Sequence, residues 1–356
     1  MRILVTGGAG YIGSHACVEL LEKGHEIVVV DNLCNSSEAA LEAIKKITGK
    51  AFPFYREDLR DAVALEKIFV AHAFDCIMHF AGLKAVGESV AMPLEYYENN
   101  LGGALNLCKA MKNHGVNKLI FSSSATVYSA ENEMPIMETA KLATASPYGH
   151  TKLMCEEIFR DFAMAQNAKS HNDNILQNTQ RNDNTVRNMQ VSIVLLRYFN
   201  PIGAHKSGLI GDNPAGIPNN LMPFIAQTAQ GKHQQLNIFG DDYLTPDGTC
   251  IRDYIHIDDL VKGHVAALDF AANNHGCEAF NLGTGHGVSV FELLHAFESA
   301  NAITVPYSIA PRRAGDIPTL FASPNKATEK LGFRAEKSLE EMCLDMWNFQ
   351  KMTELL

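Results

Sequence analysis

The chain has 356 residues, 46% hydrophobic and 20% charged, enough apolar material for one large or two ordinary domains and too much for a disordered or fibrous chain. Lys and Arg number 30 against 40 Asp and Glu, a formal charge of −10 with no long basic run, which argues against sequence-independent nucleic-acid binding. No apolar run approaches the roughly 18 residues of a membrane span, and the N-terminal stretch Ile3–Val5 is too short for a signal peptide core.

The first 200 residues alternate short apolar runs with helical patterns. Ile3–Thr6 reads as a strand ending in Gly-Gly, and Ile12 to Lys23 carries Ile12, Ala16 and Leu20 at helical spacing, with Gly24 at the stop. Ile27–Val30 is a β-branched strand ending at Asp31. Further strands are expected at Phe52–Tyr55, Cys76–Phe80, Leu119–Phe121 and Val191–Leu196, with helices between them, one opening at Pro93. This alternation predicts an α/β fold, a Rossmann-type doubly wound parallel sheet covered on both faces. After Asn200 the texture changes: Pro201, Pro214, Pro218 and Pro223 precede shorter elements and an amphipathic helix near Ser338–Gln350. Residues 1–200 are therefore expected to form the dinucleotide-binding domain and 201–356 a smaller substrate domain, with an interleaved boundary. Residues 167–188, with seven asparagines, read as a surface insertion between a helix and the strand at Val191.

The eight cysteines form no CxxC pair, so neither a metal site nor a thioredoxin-type redox pair is expected. They read as buried small hydrophobes in a reducing cytoplasm.

Thr6-Gly7-Gly8-Ala9-Gly10-Tyr11-Ile12-Gly13 places glycines at 7, 10 and 13 between a strand and a helix. Glycine there permits the tight turn, the close approach of a pyrophosphate and close helix–sheet packing, and the helix start offers free N–H groups. Asp31 ends the next strand, where a carboxylate binds ribose hydroxyls and repels a 2′-phosphate, favouring NAD over NADP.

Ser122-Ser123-Ser124 follow the strand Leu119–Phe121, at the sheet edge where α/β proteins place ligands. Tyr148 and Lys152 stand one turn apart on a helix opened by Pro147. A tyrosine of ordinary pKa, about 10, is a poor base at pH 7; the nearby ammonium and an oxidised nicotinamide both favour phenolate. Tyr148 is then placed to take a proton from an alcohol as hydride leaves its carbon, with Ser124 bonding the same oxygen.

The chain resembles the extended short-chain dehydrogenase/reductases, and among them the UDP-glucose 4-epimerase family, almost end to end apart from the asparagine-rich segment. The resemblance rests on TGGAGYIGSH (6–15), DNLCNS (31–36), HFAGLKAVGESV (79–90), FSSSATVY (121–128), SPYGHTK (146–152), LLRYFNPIGAH (195–205), GIPNNLMP (216–223), DGTCIRDYIHIDDL (247–260) and PRRAGD (311–316). It implies that NAD is held, beside the glycines, by Tyr11 and Ile12, by Asp31, Asn32, Leu33, Cys34, Asn35 and Ser36, and by Asp58 and Leu59. Phe80, Ala81, Gly82, Leu83, Lys84, Asn99, Ser122, Phe199 and the catalytic Tyr148 and Lys152 complete that implied set. Ser124 is the third implied catalytic residue.

For the sugar nucleotide the resemblance implies Lys84, Ser124, Tyr148, Phe199, Asn200, Asn220, Leu221, Asn237, Ile238, Phe239, Arg252, Arg313, Asp316 and Leu320. The arginines suit a diphosphate in an acidic protein. The implied reaction interconverts UDP-galactose and UDP-glucose: hydride leaves C4 for tightly bound NAD, the 4-keto sugar turns about its diphosphate tether, and hydride returns to the other face. The resemblance also implies a homodimer through helices Pro93–His114 and Pro147–Ala165. Leu320, aligned on Asp316, is expected to line the pocket beside C2 of the sugar, allowing slow turnover of UDP-N-acetylgalactosamine beside the main substrate.

Two rival readings exist. A sugar-nucleotide 4,6-dehydratase needs an acid before Val127-Tyr128, where Ala125 and Thr126 stand. A non-catalytic nucleotide-sensing module would lack the tyrosine or the lysine. The family's usual glycine after Val-Tyr is Ser129 here, which is expected to alter that turn slightly.

Overall fold

The computed structural model describes the chain except residues 178–189, 215–217, 219, 314 and 354–356. In chain order, β1 (Arg2–Thr6), α1 (Tyr11–Glu22), β2 (Glu26–Val30), α2 (Glu38–Thr48), β3 (Phe54–Tyr55), α3 (Ala62–Ala71) and β4 (Cys76–His79) build the first half of a sheet. α4 (Val86–Ala91), α5 (Pro93–His114), β5 (Lys118–Ser124), α6 (Pro147–Gln177) and β6 (Ser192–Tyr198) extend it. Then follow β7 (Asn200–Ile202), α7 (Leu221–Ala229), β8 (Leu236–Phe239), β9 (Ile251–Arg252), β10 (Tyr254–His256), α8 (Ile257–Asn273) and β11 (Gly276–Leu282). The chain ends with β12 (Val288–Ser289), α9 (Val290–Asn301), β13 (Tyr307–Ala310), β14 (Thr319–Leu320), α10 (Asn325–Leu331) and α11 (Leu339–Met352).

Seven strands form one parallel sheet in the order β11-β6-β5-β4-β1-β2-β3. The strand order reverses between β1 and β4, and that switch point is where doubly wound sheets open a ligand crevice. Alternate residues of each strand feed opposite cores. Ile3, Val5, Met78, Ile120 and Phe280 pack with α1, α2 and α8; Leu4, Ile77, Leu119, Phe121 and Ile193 pack with α3, α5 and α6. A separate core joins α7, α9 and α11 through Met222, Ile225, Leu294, Phe297 and Met346. β11 and α8 come from beyond residue 200 yet complete the first sheet and its cover.

Three expectations need correction. β5 outruns its apolar stretch and carries all three serines, because β6 pairs with it from Lys118 to Ser124 and the ladder overrides side-chain polarity. α6 runs to Gln177, so residues 167–177 are helix, not loop; a helix propagated from a well-packed start tolerates asparagine. Asn167 also clasps the next strand's approach: its Oδ1 accepts from Val191 N at 2.6 Å and its Nδ2 donates to Val191 O at 3.0 Å. The rest of the expected insertion, 178–188, lies outside the described residues. Third, Cys34 is exposed and Cys277 half-buried, while the other six cysteines are buried.

Ser129 fits without backbone strain, since Leu33 and Ala302 are the non-glycine residues with positive φ among those described. No helix among the described residues is long and apolar enough to cross a membrane.

The tightest backbone approach lies at the start of α1. A Cβ on Gly13 would sit 2.1 Å from the Gly7 carbonyl oxygen and 2.8 Å from Gly8 Cα, both unyielding. Gly13→Ala should therefore distort the loop, and nucleotide retained per chain after purification should fall at least about tenfold, the loss that ~1.4 kcal/mol produces. Full retention would contradict this packing requirement.

Candidate active site

The loop after β1 is built around a bare helix start. Gly10 is the N-cap of α1 and offers no side-chain cap to the first-turn N–H groups. Gly7 takes φ +70, and a Cβ there would meet Ala81 N at 2.6 Å. Asp31, buried, accepts from Ala9 N at 3.0 Å, Leu33 N at 2.9 Å and the Ser36 hydroxyl at 2.9 Å. These bonds tie the acid to the glycine loop and hold Leu33 at φ 60, a strained conformation of the kind found at ligand sites. Beside it, Asp58 accepts from Asn32 Nδ2 at 2.9 Å; the Arg60 side-chain hydrogen bond, ahead of other contacts, draws its carboxyl down to about 2. A free helix terminus, a floor that Cβ atoms would fill and a buried carboxylate together fit a dinucleotide.

The three residues expected to be catalytic, Ser124, Tyr148 and Lys152, come together at the end of β5. Tyr148 is the second residue of α6 and Lys152 follows one turn later; both are buried, as is Ser124. Lys152 Nζ donates to the Ser122 carbonyl at 2.8 Å. Its ammonium lies 4.8 Å from the Phe121 ring centroid and 6.0 Å from that of Tyr148. An ammonium has three donors, so two stay available for ribose hydroxyls. Burial pushes the Tyr148 phenol up to about 12, with a Ser124 hydrogen bond opposing it. Burial therefore dominates at Tyr148, and the lowering expected from Lys152 together with an oxidised nicotinamide concerns the nucleotide-bound protein. Thr126 donates through N and Oγ1 to Ser124 Oγ, at 3.2 and 3.0 Å, which fixes the serine hydroxyl beside Tyr148.

Several supporting residues went unread in the sequence. Asn100, next to the expected Asn99, accepts from Leu83 N at 2.8 Å and donates to Leu83 O at 3.1 Å and to Thr151 Oγ1 at 2.9 Å. It thereby ties the loop that carries Lys84 to the helix that carries Tyr148. The Tyr198 hydroxyl and Ser122 Oγ lie 2.7 Å apart. Only Glu156 had a local signal, its i+4 spacing from Lys152.

The sugar-nucleotide residues gather around β8, β9 and β14. Arg252 Nη1 donates to the Ile251 and Ile317 carbonyls, and Nη2 lies 3.7 Å from Asp316 Oδ1. The Arg313 guanidinium stacks 3.9 Å over the Phe239 ring. Lys84 Nζ lies 3.7 Å from Asp212, which also accepts from Asn220 Nδ2 at 3.0 Å. Leu320 pairs with Arg252 across the strands and packs in one cluster with Phe199, Ala125 and Val127, so the sugar-side wall meets the end of β5. Asp253 staples these pieces: its carboxylate accepts from Thr284 N, Thr284 Oγ1, Gly285 N and Ala322 N, and its backbone bonds Leu320 O and Asn200 N.

Some expected residues do not face the crevice with their side chains. Ile238 is a core residue of β8, Leu59 is buried beneath α5, and Leu221 packs on the core of α7 and α11. Asn237 is exposed on β8 and accepts from Ser308 Oγ. Of the GIPNNLMP stretch, residues 216, 217 and 219 lie outside the described residues.

Asn100→Ala leaves both polar backbone groups of Leu83 without a partner and removes one of the two hydrogen bonds of the Thr151 hydroxyl. Stability in urea should fall by about 1–2 kcal/mol, since the stranded groups of Leu83 are half-buried and a lost hydrogen bond costs roughly 1. A loss below about 0.5 kcal/mol would show that water replaces the amide freely.

The comparisons agree with this geometry. Residues 3–283 match the NAD dependent epimerase/dehydratase family. The UDP-glucose 4-epimerase of Bacillus subtilis is 54% identical, over 98% of this chain and 97% of that one, and that of Haemophilus influenzae is 51% identical over 99% and 98%. The crystal structure of UDP-glucose 4-epimerase from Bifidobacterium longum in complex with NAD+ and UDP superposes with a TM-score of 0.90 at 47% identity, covering 99% of both chains. With the glycine loop, the acid of β2 and the tyrosine–lysine turn of α6 all in place, the chain belongs to the NAD-dependent epimerase/dehydratase family.

Proposed function

We propose that this protein is an NAD-dependent UDP-glucose 4-epimerase, interconverting UDP-galactose and UDP-glucose by inversion at C4. The observation that carries the reading is the buried meeting of Ser124, Tyr148 and Lys152 at the carboxyl end of β5, against a wall made by Phe199 and Leu320. NAD, when bound in the glycine cradle, takes up and returns the hydride at C4 and brings a positive ring charge to the trio.

Tyr148 takes the C4 hydroxyl proton and gives it back after the sugar has turned, so the reaction has no net redox change. Ser124 donates to the same oxygen. Lys152 presents its two free donors to the ribose and its charge to the phenolate. Arg252 and Arg313 hold the diphosphate, so binding energy resides in the UDP part while the sugar stays free to present either face. Ala125 and Thr126 supply no acid to eliminate water, which disfavours a 4,6-dehydratase. Residues 1–200 carry most of the dinucleotide side and 201–356 most of the sugar-nucleotide side. Exposed Leu94, Leu105, Met154 and Met164 on α5 and α6 support a homodimer through those helices, and eight free thiols support a cytoplasmic location.

UDP-galactose alone, with no added reductant, should be converted to UDP-glucose. Absence of product, or a 4-keto-6-deoxy product, would overturn the reading. Tyr148→Phe should keep its bound nucleotide and lose about 10²–10⁴ in kcat, the usual worth of a general base; near-normal turnover would remove Tyr148 from that role.

Leu320 sets substrate width in this reading. Leu320→Tyr should lower kcat/KM for UDP-N-acetylgalactosamine relative to UDP-galactose by about tenfold or more, and Leu320→Cys should raise it, on the scale of ~1–3 kcal/mol per pocket group. An unmoved ratio in both variants means Leu320 only packs.

A further inference from the structure

We propose that Glu156 is a positioning residue for the reaction, keeping Lys152 charged and the serine edge of β5 docked on α6. The proposal rests on the reading of Tyr148 and Lys152 given above. Glu156 is fully buried one turn beyond Lys152, and every bond it makes comes from the elements that frame the trio. Its Oε1 accepts from Ser123 Oγ at 2.6 Å and Arg197 Nε at 2.9 Å; Oε2 accepts from Arg197 Nη2 at 2.6 Å and Arg160 Nη2 at 3.3 Å. Ser123 lies between the residue whose carbonyl holds Lys152 and the residue whose hydroxyl serves Tyr148. Strand alternation turns Ser123 and its cross-strand neighbour Arg197 toward α6, so a single carboxylate fixes β5, β6 and α6 in register.

The pair is braced behind. Arg197 Nη1 donates to the Tyr128 hydroxyl at 3.0 Å, Tyr128 donates to Asn281 Oδ1 at 2.7 Å, and Asn281 Nδ2 donates to the Ile136 carbonyl at 2.9 Å. This chain satisfies the arginine and leaves Glu156 the acid nearest Lys152 along α6.

The electrostatics agree. Burial pulls the Lys152 ammonium down to about 8, and Cys155 and Glu156 oppose that. Burial pushes the Cys155 thiol up to about 12, so it is neutral where Lys152 titrates. On β4, His79 is held down to about 3 by burial and by Lys152, and is also neutral there. From β5 come only the Ser122 carbonyl and the Phe121 ring; from β6, Tyr198 is a phenol raised further by burial. From α4 and α5, Glu88 and Tyr96 bond each other on the Tyr148 side. Glu156 is thus the acid that opposes loss of the Lys152 proton.

The sign follows. Removing the Glu156 charge lowers the Lys152 pKa, so the ammonium is lost at lower pH and the Tyr148 phenolate forms at higher pH. The test variant is Glu156→Gln, which removes the acid's charge, keeps its shape and leaves Arg197 in place. In the holoenzyme, the alkaline limb of kcat/KM against pH should move down by about one unit. The phenolate titration of Tyr148, read near 295 nm against Tyr148→Phe in the same background, should move up. Because this absorbance readout needs no turnover, it separates failure of the Glu156 proposal from failure of the epimerase reading. Reduced thermal stability with both titrations unmoved would make Glu156 purely structural and overturn the proposal. Should Glu156→Gln not fold with Arg197 left unpaired, Glu156→Asp decides: the charge is kept, so the limb should stay while kcat falls severalfold, and a limb displaced by about a unit would overturn the proposal.

Discussion

Burying an ammonium without a direct counter-ion is the constraint on which the catalytic side depends. Among the described residues Lys152 has a single hydrogen bond, to a strand carbonyl, and otherwise meets aromatic rings. Such a group stays charged only if its surroundings supply polarity at a fixed distance. The docking of α6 on β5 provides that, with the carbonyl of Ser122 on one side and the Glu156 carboxylate, bonded to Arg197, a turn away. Helix, strand and charge pair therefore have to be placed together, and their side chains are among the most deeply buried polar groups in the protein.

A second set of contacts joins the dinucleotide loop to the sugar-nucleotide side. The Tyr11 hydroxyl donates to the Gly203 carbonyl at 2.7 Å, so the first residue of α1 touches the segment that leads from β7 to Asp212. Asp212 then reaches both Lys84 and Asn220. Asp253 does similar work between β7, β14 and the loop after β11. The two halves of the crevice are fixed to each other by backbone carbonyls and buried carboxylates.

What was legible in the sequence was local. The glycines at 7, 10 and 13, Asp31 and the Tyr148–Lys152 turn are set by spacing within one βα unit or one helical turn, and their geometry follows from that spacing. Non-local pairing was not legible. The serines belong to β5 because β6 lies beside them, and α6 persists to Gln177 although asparagine is a weak helix former. Asn100–Thr151, Glu156–Arg197 and Asp253–Ala322 join residues 51, 41 and 69 positions apart, and no single stretch of sequence announces them.

The central claim is that the carbon-bound hydrogen at C4 leaves and returns within one closed site. UDP-galactose carrying deuterium at C4, incubated with the unlabelled protein in ordinary water, tests it most directly. The account predicts UDP-glucose with deuterium kept at C4 and none released to solvent, as read by mass and by proton resonance. Product with hydrogen at C4 and label in the water would mean that the carbon exchanges with solvent, and would contradict it.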